Sequence, residues 1–149
     1  MEELFCPEIS EGGRRKGFKI IDLMTDDSEI LAHVAKDEGP KVSNYHVDVG
    51  NIDLVSKKAI NRGLEDANYL VIDEIAPMEV YSQYFKEKTR QALDSNKPLI
   101  GVIHQRTSSG FIGKVKSRKD VEIYKIEELN KKTLIEQLLD QIKKDIQKN

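Results

Sequence analysis

The stretch NYLVIDEIAPMEV, Asn68 to Val80, decides the fold. Tyr69 to Ile72 form an unbroken apolar run that opens directly onto two adjacent acids, Asp73 and Glu74. A continuous run, as opposed to an alternating one, marks a strand covered on both faces, the usual condition in a parallel sheet. Upstream, NIDLVSKKAINRGLEDA places Ile52, Val55, Ala59, Ile60 and Leu64 on one helical face. Downstream, MEVYSQYFKEKTRQALDSN reads as a second helix, with Val80, Tyr84, Thr89, Ala92 and Leu93 toward its buried side. KPLIGVIH (Lys97 to His104) is another short apolar strand, SGFIGKVKSR a short helix and DVEIYKI (Asp120 to Ile126) a further strand. A last helix, beginning near Asn130, carries Ile135, Leu138, Leu139, Ile142 and Ile146 on one stripe. This alternation predicts an α/β fold: a three-layer, mostly parallel sheet with helices on both faces.

The first third of the chain reads differently. EGGRRKG (Glu11 to Gly17) is a Gly-rich basic turn, and FKIIDL and EILAHVA flank the acidic turn TDDS. Two such runs separated by turn residues predict an antiparallel pair at one edge of the sheet, followed by a short strand at NYHVDV. No repeat or low-complexity linker divides the 149 residues, so residues 1–149 are expected to form one domain. Charged residues make up 34% of the chain, well above the usual quarter, with no Trp and four Pro, a bias found in heat-adapted proteins. The single cysteine, Cys6, excludes an internal disulfide framework and fits a reducing cytosol. No apolar run approaches membrane-spanning length, and MEELFCPEIS is too acidic for a signal peptide, so a soluble cytoplasmic protein is expected. A net charge of −2 gives no electrostatic reason to expect a nucleic-acid partner.

In sheets of this kind ligands bind beyond the C-terminal ends of the parallel strands. Two apolar strands end there in polar groups: Asp73 and Glu74 after YLVI, and His104 after PLIGVI. An acid emerging from a buried strand can hold the water shell of a Mg²⁺ ion, which takes few protein carboxylates. The acid beside it can polarise a water for attack on phosphorus. The plainer alternative is a turn bearing two solvated acids. Arg14 and Arg15 are candidates to reach phosphate oxygens, against the alternative of solvated turn residues. His104 either contacts the reacting phosphate or is a strand-end histidine bonded to its neighbours. His33 and His46 have no metal-ligand spacing, so a zinc site is not expected.

The longer string IDEIAPME (Ile72 to Glu79) resembles a motif of the small nucleoside-triphosphatases of thermophiles and their animal relatives, within the P-loop superfamily. Their second phosphate-site motif reads close to I-D-E-I-G-x-M-E, with Ala76 here in place of glycine. CPEISEGGRRKGFKIIDL is similar to the family's T-x-E-[VI]-R-E-x-G-x-R-x-G-F segment, and ALDSNKPLIGVIHQR to its A-L-x-S-x-K-P-V-I-G-T-I-H-R-R. EELNKK loosely resembles the family's T-x-E-N-R, which would make Asn130 and Lys131 nucleotide-binding residues. The resemblance covers essentially the whole chain. It implies hydrolysis of a nucleoside triphosphate to the diphosphate and phosphate, with Mg²⁺ held by Asp73, and with Glu74, Arg14, Arg15 and His104 as catalytic residues.

The family's opening strand, phosphate loop and first helix have no counterpart in these residues. No G-x-x-x-x-G-K-[ST] run occurs, and GFIGKV (Gly110 to Val115) has its glycines too close and Val115 where a Ser or Thr would bind magnesium. The missing strand is expected beside the strand ending at Asp73, where its absence would leave an apolar slot. Three accounts follow: residues preceding Met1 supply it, a shifted strand or a second chain closes the gap (the latter giving a homo-oligomer), or the protein is a degenerate, non-catalytic binding relative with a rearranged sheet.

Overall fold

The computed structural model describes residues 1–148. Its elements in chain order are β1 (Glu2–Phe5), β2 (Glu8–Glu11), β3 (Arg14–Asp22), β4 (Asp27–His33), β5 (Lys41–Val42), β6 (Tyr45–Val47), α1 (Val49–Asp66), β7 (Leu70–Ile75), a 3₁₀ turn (Glu79–Tyr81), α2 (Gln83–Asp94), β8 (Leu99–Ile103), α3 (Gly110–Lys116) and α4 (Lys131–Lys148). The strands form one mixed sheet in the order β5-β6-β4-β3-β1-β7-β8, with β2 paired to β3. The α/β architecture is as expected, but parallel pairing is confined to β1–β7 and β7–β8, and every other pairing is antiparallel.

The apolar run that opened the reading becomes β7. Leu70, Ile72 and Ile75 are buried, and α1 sets Ile52, Val55, Ala59 and Ile60 against the same core as Leu4, Ile20 and Leu31. Asp48 caps α1 by accepting from the Asn51 amide at 3.0 Å. The expected helix from Met78 begins late: a 3₁₀ turn comes first, and Ser82 caps α2 by accepting from the Phe85 amide at 2.9 Å. That cap sets the phase of the helix, so Phe85 fills the core and the expected core residue Tyr84 faces solvent beneath Lys57.

Two expectations about the sheet are corrected. The slot predicted beside β7 is absent, because β1 pairs with β7 in parallel register, Phe5 opposite Asp73, while β8 takes the other edge. The open edge lies on β8, which pairs only with β7 among the described residues. The strand expected at Asp120–Ile126 does not form. Those residues run without a ladder partner and leave Ile123, Tyr124 and Ile126 exposed, since a strand needs a neighbouring edge to satisfy its backbone groups. On α4 only Leu134 and Ile142 are buried, and the expected stripe residues Ile135 and Leu139 are exposed.

The β2–β3 hairpin continues the β1–β3 ladder past the C-terminal end of β7, since Phe5 lies level with Asp73 and Glu8 is already opposite Phe18. β3 and β4 approach closely at Gly17, where a Cβ would lie 2.3 Å from the Ala32 carbonyl oxygen, so only glycine fits. No helix among the described residues is long and apolar enough to cross a membrane.

Candidate active site

Parallel pairing of β1, β7 and β8 brings the ends of three strands together. Residues Cys6 after β1, Asp73 and Glu74 near the end of β7, and His104 after β8 sit at this edge. The peptide between Asp73 and Glu74 is cis, and the β7–β8 register shifts there. The His104 amide donates to the Ile75 carbonyl at 3.0 Å, which ties the residue after β8 to the acid turn.

Both acids are half-buried. Burial raises Asp73 above the ordinary carboxylate range. Burial also raises Glu74, the neighbouring Asp73 carboxylate raises it further, and His104 pulls it back. A group pushed up by desolvation is a better proton acceptor than a free carboxylate, as a general base requires. His104 is therefore close enough to act on Glu74 electrostatically, and its Nδ1 lies 2.8 Å from Thr107 Oγ1.

Two further residues belong to this cluster. Glu79 is buried, with its Oε2 lacking any hydrogen-bond partner among the described residues. Burial above all, with Glu74 nearby, lifts its carboxyl to about 7. The Cys6 thiol lies beside it, and burial, followed by the Glu79 charge, pushes that thiol well above its usual range. Glu79 lies within IDEIAPME, but nothing in the local pattern separates it from a solvated helix-start acid. Cys6 carries no sequence signal at all.

The remaining candidates lie apart. Arg14 and Arg15 open β3 on the overhanging hairpin, beyond the end of β7. Arg15 is held down: it donates to Glu8 at 2.9 Å and to the Tyr45 hydroxyl at 3.0 Å, with its guanidinium over the Phe18 and Tyr45 rings. Arg14 is exposed and makes no hydrogen bond or ion pair among the described residues. Asn130 spends its side chain on its own turn, accepting from the Glu127 amide at 2.8 Å and donating to the Lys125 carbonyl at 2.9 Å. Neither Asn130 nor Lys131 makes a hydrogen bond or ion pair with Asp73, Glu74 or His104 among the described residues. Asn130 lines a cleft of about 430 Å³ with Ile123, Tyr124 and Leu134.

No group of three His, Cys, Asp or Glu side chains is placed to enclose a metal ion among the described residues. Mg²⁺ needs no such enclosure, since it takes one or two carboxylates and keeps its waters. Asp73 and Glu74 offer hard oxygen donors, and neither forms an ion pair with a Lys or Arg among the described residues. The donor set fits.

A family model described as NTPase matches residues 2–139. The chain belongs to this nucleoside-triphosphatase family. Among its relatives, the nucleoside-triphosphatase THEP1 of Thermofilum pendens is 42% identical over 136 residues, covering 91% of this chain and 75% of that protein. Nucleoside-triphosphatase THEP1 of Methanopyrus kandleri is 34% identical over 140 residues, with 93% and 77% covered. The crystal structure of THEP1 from the hyperthermophile Aquifex aeolicus superposes with a TM-score of 0.81, covering 95% of this chain and 83% of that one at 21% identity. That likeness shows that the chain shares the fold of that structure.

Proposed function

We propose that the strand-end cluster of Asp73, Glu74 and His104 is the hydrolytic half of a Mg²⁺-dependent nucleoside-triphosphatase acting in the cytoplasm. The observation that carries this reading is the meeting of two half-buried acids and a histidine at adjacent ends of β7 and β8. Glu74 accepts a proton from a water whose oxygen bonds the γ-phosphorus, and the bond from phosphorus to the bridging oxygen breaks, releasing the diphosphate. His104 contacts the γ-phosphate oxygens or orients the water. Asp73 would hold Mg²⁺ through its water shell, and the ion supplies charge neutralisation to the phosphate oxygens when bound. Arg14, on the overhanging hairpin, is the better placed of the two arginines to meet phosphate, because Arg15 is already engaged by Glu8 and Tyr45.

The phosphates themselves need a cradle of backbone N–H groups, a lysine and a helix N-terminus, and the 149 residues hold no such loop. Bonds to charged groups are worth roughly 1.5–3 kcal/mol each, so forgoing three weakens binding by at least about a thousandfold. The 149-residue chain alone is therefore expected to bind Mg-ATP or Mg-GTP no better than about millimolar, without turnover. Calorimetry tests this, with the same chain extended N-terminally by the family's phosphate loop as the comparison. The extended chain gains affinity by about a thousandfold, and Asp73→Ala removes its Mg²⁺ dependence. Micromolar binding by the unextended chain, or Mg²⁺ dependence that survives Asp73→Ala, contradicts the reading. The second reading is a non-catalytic binding relative. An extended chain that binds nucleotide and releases no phosphate supports it.

A further inference from the structure

The loop between β8 and α3, residues 104–109, carries His104 into the site, and the side chain of Lys116 holds that loop in shape. Lys116 lies in the last turn of α3, and its Nζ donates to the carbonyl oxygens of His104 at 2.7 Å, Gln105 at 3.0 Å and Thr107 at 2.6 Å. An ammonium has three donors, and all three are used on this one loop. Three main-chain carbonyls aimed at a common point repel one another unless a positive charge sits between them. No carboxylate forms an ion pair with Lys116 among the described residues, and its hydrogen bonds there go to these carbonyl oxygens. The helix is close enough to deliver the side chain because Gly113 has no Cβ; one there would lie 2.3 Å from the Ser108 carbonyl oxygen. The arrangement also reaches the imidazole. Thr107, whose carbonyl Lys116 holds, places its hydroxyl 2.8 Å from His104 Nδ1.

We propose that Lys116 is a positioning residue for His104: its ammonium serves as a built-in monovalent cation that shapes residues 104–107 and so fixes the imidazole at the end of β8. Lysine suits this place because its compact ammonium points three donors in different directions, whereas the flat guanidinium of an arginine fans its donors in one plane. The use of His104 in phosphate chemistry rests on the function proposed above. The shaping of its loop does not, and the test is independent of turnover.

The experiment follows the His104 ring and the loop amides by NMR in the isotope-labelled 149-residue chain. In the parent, the Lys116 ammonium gives its own slowly exchanging signal in the cold near neutral pH. In Lys116→Ala the His104 ring resonances shift or broaden, and amide exchange across residues 104–107 quickens by about tenfold or more, since bonds to a charged donor are the stronger class. Adding n-propylammonium, which fits the space of the lost side chain, restores both, and choline, which is too bulky and has no N–H, restores neither. A folded Lys116→Ala whose ring signals match the parent overturns the proposal, as does a loss that n-propylammonium leaves unchanged. Should Lys116→Ala not fold, the parent's ammonium signal decides: slow exchange supports the threefold bonding, and exchange as fast as that of an exposed lysine refutes it.

Discussion

Replacing Glu79 by glutamine probes the buried floor of the site. Glu79 is 3% exposed, and one of its oxygens has no partner among the described residues. Burial, and then the nearby Glu74, raise its carboxyl from the ordinary 4.5 to about 7, while backbone N–H groups and the Cys6 thiol pull it down. In the folded chain it therefore keeps a proton that the unfolded chain has already released. The stability this proton contributes is complete below the unfolded value and is lost as pH rises through the folded one. The gap is roughly 2.5 pH units, and each is worth about 1.4 kcal/mol, so about 3–4 kcal/mol disappears between pH 4.5 and the region above 7. Glutamine keeps the shape and has no proton to lose. Glu79→Gln should match the parent within about 1 kcal/mol near pH 4.5 and exceed it by about 2–3 kcal/mol near pH 8. Urea unfolding followed by circular dichroism at stepped pH gives both curves, with equal slopes required for the comparison. Asp73, Glu74, Cys6 and His104 remain in both proteins, so the difference isolates Glu79. Two curves separated by the same amount at every pH would refute the argument.

Gly113→Ala places a methyl group 2.3 Å from the Ser108 carbonyl oxygen, which is backbone and yields poorly. It should lower unfolding stability by about 1–3 kcal/mol in the same urea assay, and an unchanged midpoint would show that α3 does not press on the loop. The outer edge of β8 is uncharged from Leu99 to Ile103, with Val102 exposed, and an unblocked edge of this kind recruits further strands. The chain is therefore expected to self-associate at about micromolar concentration, with Val102→Lys reducing the associated fraction in light scattering. A folded monomer of the parent chain under those conditions would contradict this.

The parts of the fold legible in the sequence are those set by local pattern. β7 and β8 announce themselves as unbroken apolar runs ending in polar groups, which also made Asp73, Glu74 and His104 visible as candidates. The face of α1 follows from its spacing alone, with Ile52, Val55, Ala59 and Ile60 buried as expected. What was not legible depends on neighbours distant in sequence. Whether β7 is flanked by β1 is a matter of topology that no pattern within MEELF encodes. Asp120 to Ile126 has strand character but no edge to join, and propensity without a partner makes no ladder. Tyr84 and Phe85 both look like core residues, and the Ser82 cap decides between them. Arg15 is diverted by Tyr45, thirty residues away, and Glu79 acquires its perturbed carboxyl only through burial.

The claim at the centre of the account is that Glu74 is the base at this strand end, and phosphate release tests it most directly. In the chain extended by the family's phosphate loop, single-turnover release of phosphate from Mg-ATP or Mg-GTP is compared with that of Glu74→Gln. The amide keeps the shape and removes the proton acceptor, so turnover should fall by about 10²-fold or more while nucleotide affinity changes little. Because desolvation and Asp73 raise the Glu74 carboxyl, activity in the parent should also fall as pH drops through its raised value, where the base becomes protonated. Turnover by Glu74→Gln equal to the parent's would place the water-activating group elsewhere and contradict the account.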